Sequence, residues 1–195
     1  MNMTNMRMTL FAIPFTVLLL IVITLVHPNL LAQVKTTTNF LPYQNSTFGI
    51  KIQYPSDWEK QENGTKQDTQ TDVVTFNSPS DADFNIAIDD ISDQKGTSLA
   101  QYANDSIEDL KQSSTNFKLI ESSNSNHISG LPAYRIVYTS NDDNNVTKTL
   151  ETGIIKGDKA YLLTYETGIS EYARFLPIIQ KMIDSFQISN QMNGQ

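Results

Sequence analysis

The stretch FGIKIQYPSDW, residues 48–58, decides the fold class. Apolar residues take every second position of Thr47–Tyr54, and Pro55 ends the run. An alternation with a period of two over this length predicts a strand with one buried face. The turn that follows carries Trp58, the only tryptophan of the chain, which can fold back onto the sheet.

Six further segments show the same alternation or a short apolar run, and each is predicted to be a strand. They are Val73–Phe76, Phe84–Ile88, Phe117–Glu121, Ala133–Thr139, Val146–Ile155 and Ala160–Tyr165. Turn residues separate them, including a hairpin turn at Lys156–Asp158 and another turn at Asn141–Asn145. The polar segment Glu59–Asp72, around Asn63-Gly64, is predicted to be a loop.

Two amphipathic helices complete the pattern. The first begins after Ser98, whose hydroxyl can cap the first turn, and Gln101 stands at the spacing of a capping box. The second carries an apolar stripe along Tyr172–Phe186, with Ser170 as its candidate cap. Pro177 lies inside this stripe and lacks a backbone N–H, which predicts a kink or a second helix that starts nearby.

About seven strands and two main helices, without an alternating strand–helix order, predict an α+β fold. In such a fold an antiparallel sheet carries amphipathic helices laid upon it. We assign residues 33–39 to a linker, residues 40–188 to the domain and residues 189–195 to a disordered tail.

The N-terminal segment predicts the compartment. Arg7 precedes an uncharged apolar block, Thr9–Val26, and Ala32 offers a small residue at a cleavage point. The block is longer than the ~7–15 residues of a usual signal core and approaches the ~20 that span a bilayer. Residues 1–32 are therefore predicted to be a signal peptide or, if uncleaved, an N-terminal membrane anchor. In both cases the domain is extracytoplasmic, either secreted or held at the outer face of the cell membrane.

Acceptor sequons for N-glycosylation agree with export. Each follows the N-x-[ST] pattern with no proline between, at Asn45, Asn63, Asn104 and Asn145. They lie in predicted loops or polar faces, so the sequence predicts a glycoprotein; the alternative is that they are ordinary polar surface.

Composition excludes several classes of chemistry. The chain has no cysteine, which removes disulfides, thiolate nucleophiles, iron–sulfur clusters and cysteine-ligated zinc. Its formal charge of −7 argues against a nucleic-acid partner bound through a basic surface. Outside the leader His127 is the only imidazole, so a two-histidine metal motif is impossible. No nucleophile motif accompanies any serine, and we expect His127 to lie in a turn, Asn126–Gly130.

Acidic segments offer at most weak cation sites. Asp81–Asn85 imitates the start of a calcium loop, but Ile86 stands where the loop needs glycine, and the alternation fits a strand better. Two other groups of oxygen-bearing side chains are better explained as solvated turns. The first is the cluster of Asp89, Asp90 and Asp93, and the second is the segment Asn141–Asn145. We therefore predict no enzyme, no catalytic, cofactor-binding or metal residue and no cofactor, with weak calcium binding as the exception left open.

Four segments resemble the PsbP-like family. They are Phe48–Trp58, with its alternating strand running into Tyr-Pro; Ser98–Leu110; Ser129-Gly-Leu-Pro-Ala-Tyr134; and Tyr172–Phe186, with Leu176-Pro177 and Ser185-Phe186. Together they extend over Asn39–Ile188. The resemblance implies an α-β-α sandwich with a central antiparallel sheet and helices on both sides.

The resemblance also implies a function without catalysis. Plant members of the family are extrinsic subunits on the lumenal side of photosystem II, where they aid calcium and chloride retention. Similar domains occur in exported proteins of non-photosynthetic microbes. We do not extend the photosystem role to this chain, because it lacks a chloroplast-type transit region and the family's ion-linked residues cannot be matched to it. The prediction is an exported PsbP-like module that docks on a membrane-associated or cell-envelope assembly. Two alternatives stay open: an envelope hydrolase using a carboxylate pair, and a small-ligand or calcium-binding domain.

Overall fold

The computed structural model describes residues 38–142 and 145–189. They all belong to the second of two compact units into which the chain divides, Thr37–Gln195. The predicted leader, most of the predicted linker and all but the first residue of the predicted tail lie outside the described residues. Within the described part, no helix is long and apolar enough to cross a membrane.

Ten strands and two helices make up the described part of the chain. The helices are α1 (Leu99–Ser113) and α2 (Tyr172–Ser185). The strands are β1 (Phe40–Asn45), β2 (Ile50–Pro55), β3 (Glu59–Gln67), β4 (Gln70–Asn77), β5 (Ala82–Asp90), β6 (Thr115–Ile128), β7 (Leu131–Asp142), β8 (Asn145–Lys156), β9 (Lys159–Gly168) and β10 (Gln187–Ile188).

The strands form two sheets. Seven of them build an antiparallel main sheet in the order β3-β4-β5-β9-β8-β7-β6. The other three form a small antiparallel sheet in the order β1-β2-β10. The predicted α+β class, with a central antiparallel sheet of about seven strands, is confirmed, although β2 belongs to the small sheet rather than to the main one.

Both faces of the main sheet are covered. Alternate residues of β5 divide between two apolar clusters: Ile86 and Ile88 join the cluster with α2 and the small sheet, and Ala87 joins the one with α1. Because side chains alternate across a strand, the two clusters lie on opposite faces. The result is an α-β-α sandwich, as the resemblance implies.

The prediction of a loop at Glu59–Asp72 is wrong. This segment contains β3 and the start of β4, which pair as a hairpin. β3 is an edge strand with almost every residue exposed, so it has no apolar face to produce an alternation. Its register shifts between Glu62 and Thr65, and Gly64 adopts φ +62° at that bulge, a conformation that favours glycine.

The opposite edge strand, β6, is much longer than the predicted Phe117–Glu121. Its pairing with β7 is interrupted by three register shifts. Leu119 and Ile120 are exposed on it, at 39% and 51%. His127 lies in this strand, opposite Pro132, and not in the Ser129-Gly130 turn that follows, so the prediction of a turn position is wrong.

Of the two predicted helix caps, Ser98 of α1 is confirmed and Ser170 of α2 is wrong. Ser98 caps α1, since its Oγ accepts a hydrogen bond from the Gln101 N–H at 3.1 Å. The Gln101 side chain does not complete a capping box and instead donates to Asp105 on the next turn. Ser170 does not cap α2, which begins after Glu171 without a side-chain cap. α2 continues through Pro177, so the alternative of a second helix is wrong.

Candidate functional site

A cavity of about 650 Å³ opens at one end of the main sheet. The start of β5, the start of β8 and the end of β9 meet there because antiparallel pairing brings Ala82 opposite Thr167 and Thr147 opposite Gly168. The loop from β9 to α2 closes one side. We call this feature the end cavity; its described lining is residues 81, 83, 145–147 and 166–170.

The end cavity is acidic. Asp81, Asp83 and Glu166 line it, and its described lining contains no lysine, arginine or histidine. Asp83 pairs directly with Glu166 across β5 and β9, and like charges in that position destabilise a sheet. Partial burial of the carboxyl group, and then the charge of Asp81, raises the pKa of Asp83 above its ordinary value. Glu166 Oε2 accepts a hydrogen bond from Thr149 Oγ1 at 2.9 Å.

Two exposed apolar side chains line the same cavity as these carboxylates. Val146 is 43% exposed and Ile169 is 54% exposed, and both line the end cavity. The Ile169 N–H donates to the Val146 carbonyl at 3.1 Å, which fixes the two residues side by side. The end cavity therefore combines a small apolar surface with concentrated negative charge.

The acidic residues singled out by sequence do not converge on a metal. Among the described residues, no group of three or more histidine, aspartate or glutamate side chains could hold a metal ion. Asp83 and Asn85 lie in β5, which confirms that the calcium-like stretch is a strand. Asp89 accepts hydrogen bonds from Tyr102 and Thr69, and Asp90 accepts one from the Ser92 N–H. Asn141 and Asn145 lie in the hairpin that joins β7 and β8.

A second polar cavity, of about 360 Å³, lies between α1 and the sheet. Glu151 lines this cavity and accepts a hydrogen bond from the Tyr134 hydroxyl at 2.6 Å. Tyr102, which also lines this cavity, donates to Asp89 Oδ2 at 2.9 Å. Burial raises the pKa of the Glu151 carboxyl, and the hydrogen bond from Tyr134 offsets only part of that effect. Burial and the nearby Glu151 raise the pKa of Tyr134 as well.

Sequence reasoning missed Glu151. The signal that could have found it is its position within Val146–Ile155, a long predicted strand that lies in sequence between the largely apolar strands Ala133–Thr139 and Ala160–Tyr165. A carboxylate in such a strand must face a helix layer or solvent, because side chains alternate between the two faces. Asp109 of α1 lines the same cavity, so three carboxylates surround it in all.

The four glycosylation sequons differ in their surroundings. Asn104 and Asn145 are exposed. The amide nitrogen of Asn45 donates to the Tyr43 hydroxyl, and that of Asn63 donates to Thr75 Oγ1. Glycosylation at the four sites stays a prediction, and the two engaged amides would have to give up a hydrogen bond to carry a glycan.

The sequence matches the profile of a family described as PsbP-like protein over residues 26–188. This chain belongs to the PsbP-like family. The match extends across the whole described part of the chain except its final residue, so the PsbP-like domain includes both cavities. No protein with a curated description matches the sequence.

Solved structures share the fold of this PsbP-like domain at low identity. Cyanobacterial PsbP (CyanoP) from Synechocystis sp. PCC 6803 has a TM-score of 0.60 at 16% identity, over 78% of this chain and 94% of that one. LpqN of Mycobacterium tuberculosis, involved in cell envelope biogenesis, has a TM-score of 0.56 at 10% identity, over 78% and 91%. PA94 from Pseudomonas aeruginosa, a putative regulator of unknown function, has a TM-score of 0.52 at 14% identity, over 79% and 99%.

Proposed function

We propose that this chain is an exported, non-catalytic PsbP-like module that docks on a protein of a membrane-associated or cell-envelope assembly. The end cavity is the docking site. Its occupant is a protein segment that carries lysine or arginine beside an apolar side chain. The observation that carries this proposal is that the paired Asp83 and Glu166 line the same cavity as the exposed Val146 and Ile169.

The chemistry of the end cavity specifies the partner. Opposed carboxylates are unfavourable for the folded domain by itself, and a cation placed between them would relieve the repulsion. Covering Val146 and Ile169 would contribute up to about 1.5–3 kcal/mol for each side chain. The charges would mainly set specificity and the rate of association, so binding should weaken as salt rises.

Export rests on the sequence of residues 1–32, with its apolar block and small residue before Gln33. A fold shared with LpqN, which is involved in cell envelope biogenesis, is compatible with work outside the cytoplasm. Protease added to intact cells tests this part: an exported domain is degraded, and a domain that survives until the cells are lysed contradicts export.

Photocrosslinking in native membranes tests the docking site. A photoreactive residue replaces Ile169 in the full chain, and a matched one replaces Gln112 on the exposed side of α1. We expect an adduct from position 169 that is absent from position 112, with the crosslinked peptide of the partner carrying lysine or arginine. High salt should reduce its yield.

Charge-neutral variants separate docking from folding. The test variant combines Asp81→Asn, Asp83→Asn and Glu166→Gln; the control combines Asp93→Asn, Asp158→Asn and Glu108→Gln, which removes the same number of charges elsewhere. We expect the adduct to disappear only from the test variant, which should be at least as stable as the native chain because repulsion is relieved. An adduct that survives in the test variant, or a partner segment without basic residues, contradicts the proposal.

The hydrolase alternative retains one supporting observation. Glu151 combines a raised pKa with a polar cavity that it shares with Asp89 and Asp109. A carboxyl with a raised pKa beside a second carboxylate is the arrangement that acid–base hydrolysis uses. Chromogenic ester and glycoside substrates test it: turnover that vanishes in Glu151→Gln favours an enzyme, and no turnover by the native chain rejects this alternative.

A further inference from the structure

A third cleft, of about 210 Å³, lies beside α2. α2 packs on β9 of the main sheet and on β2 of the small sheet. On the same face of the main sheet, β6 and β7 extend beyond the area that α2 covers. The wall of the cleft on the α2 side includes Gln180 and Asp184, and the sheet side includes Asn126 and Arg135. We call it the α2–β7 cleft; it is separate from the end cavity and from the cavity of Glu151.

A buried donor without a partner lines the sheet side of this cleft. The Asn126 amide nitrogen is buried and makes no hydrogen bond within the described part of the chain. Leaving such a group unpaired costs about 1–3 kcal/mol. The only other buried side-chain atom of this kind among the described residues is the Tyr172 hydroxyl, which belongs to the core on the same face of the sheet.

Arg135 adds a positive charge on the same side. Its Nε donates to Glu121 Oε1 at 3.2 Å, and its side chain is only 20% exposed. Its remaining guanidinium N–H groups are further donors. Together with the Asn126 amide they form a set of donors that suits a carboxylate, which can accept two parallel bonds from arginine.

Asp184 adds a negative charge on the opposite wall. It accepts one hydrogen bond, from Gln180 Nε2 to Oδ1 at 2.8 Å, so Oδ2 retains its capacity to accept another. Among the described residues that line the cleft, Arg135 is the cation and Asp184 is the anion, besides His127. A simple anion would meet the carboxylate of Asp184, and a simple cation would meet Arg135.

We propose that the α2–β7 cleft binds a small zwitterion of the α-amino acid class. The ligand's carboxylate accepts from Asn126 and Arg135, and its ammonium group donates to Asp184. The Asn126 amide thereby gains the partner that it lacks. This site does not depend on the docking surface at the end cavity, so either proposal can fail without the other.

A matched set of probes tests the proposal on the full chain. L-Alanine carries both charges, propionate lacks the ammonium group, and ethylamine lacks the carboxylate. Calorimetry and the side-chain amide signal of Asn126 in NMR spectra report binding. We expect alanine to bind about tenfold or more tightly than either single-charge probe, because one charged contact contributes at least a factor of that size.

Three variants assign the contacts. Asp184→Asn should reduce the affinity for alanine to about that for propionate, and Asn126→Ala should weaken the binding of alanine and propionate alike. Asp158→Asn, in the exposed β8–β9 turn, should leave the affinities for alanine and for propionate unchanged. Alanine binding that is absent, that equals propionate binding, or that survives in Asp184→Asn overturns the proposal.

Discussion

Gly153 lies directly beneath the ring of Tyr134. The two residues face each other across β7 and β8, and a β-carbon at position 153 would stand 2.3 Å from Tyr134 Cε1. That approach is closer than packed atoms allow, so the missing side chain of glycine makes room for a fully buried tyrosine. The ring in turn carries the hydroxyl that meets Glu151.

Gly153→Ala should destabilise the domain because the new methyl group forces the Tyr134 ring aside. Overpacking of this kind costs about 1–3 kcal/mol. Urea unfolding followed by circular dichroism measures the change. Gly168→Ala is the matched control, since no atom lies within 4 Å of the position its β-carbon would take; equal effects in the two variants would contradict the steric explanation.

Glu151→Gln should stabilise the domain at neutral pH. The carboxyl has a pKa raised above its ordinary value of 4.5, so the folded state binds its proton more tightly than the unfolded state does. Stability therefore falls as pH rises from that ordinary value through the raised pKa, and above it the folded protein retains the cost of a buried charge. The advantage of glutamine should fade as pH falls to 4.5. An advantage that is independent of pH would contradict this explanation.

Tyr134→Phe should destabilise the domain at neutral pH by about 1–3 kcal/mol, because it removes a hydrogen-bond donor from the buried carboxylate of Glu151. The same substitution in a Glu151→Gln background should cost less, since the acceptor is then uncharged. A double-mutant cycle measures the difference as a coupling energy. Equal costs in both backgrounds would show that the 2.6 Å hydrogen bond contributes nothing specific to the charge.

Ser98→Ala should destabilise the domain by about 1 kcal/mol, the usual cost of losing a helix cap. The lost contact is the 3.1 Å hydrogen bond from the Gln101 N–H. Ser170→Ala is the control, because α2 begins after Glu171 without a side-chain cap. Thermal unfolding of both variants measures the difference, and a larger effect at Ser170 would reverse the assignment.

Tyrosine ionisation should be delayed to strongly alkaline pH. Seven of the eight tyrosines have a raised pKa, with burial the largest cause in each; for Tyr138 the pKa rises to about 12. Because the folded state favours the neutral phenol, stability should fall as pH rises above 10.0. Tyrosinate absorbance should then appear together with unfolding seen by circular dichroism. Full ionisation near pH 10.0 in the folded protein would contradict the burial.

The parts of the fold that could be predicted from sequence are those with one buried face. Ile50 and Ile52 alternate with exposed residues in β2, and α2 has an apolar stripe that begins at Tyr172. In both elements the burial of one face produces a regular spacing of apolar residues in the sequence. β3 shows no such spacing of apolar residues, because an edge strand that is exposed on both faces can be wholly polar. Only its hydrogen bonds to β4 make it a strand, and those depend on pairing partners that local pattern does not specify.

The candidate site could not be predicted for a related reason. Asp83 and Glu166 are far apart in sequence, and only the register of β5 on β9 brings them opposite each other. Val146 and Ile169 likewise meet through the pairing of β8 with β9. Each residue taken alone fits an ordinary strand end, so the acidic and apolar character of the end cavity exists only after the sheet has formed.

The register shifts in β6 have a consequence for the behaviour of the protein in concentrated solution. Its backbone ladder against β7 is interrupted at three places, and the other edge, β3, carries a bulge of its own. A second copy laid against either edge would therefore find no unbroken row of donors and acceptors. We therefore expect the exposed Leu119 and Ile120 not to promote edge-to-edge association between copies of this sheet at high concentration.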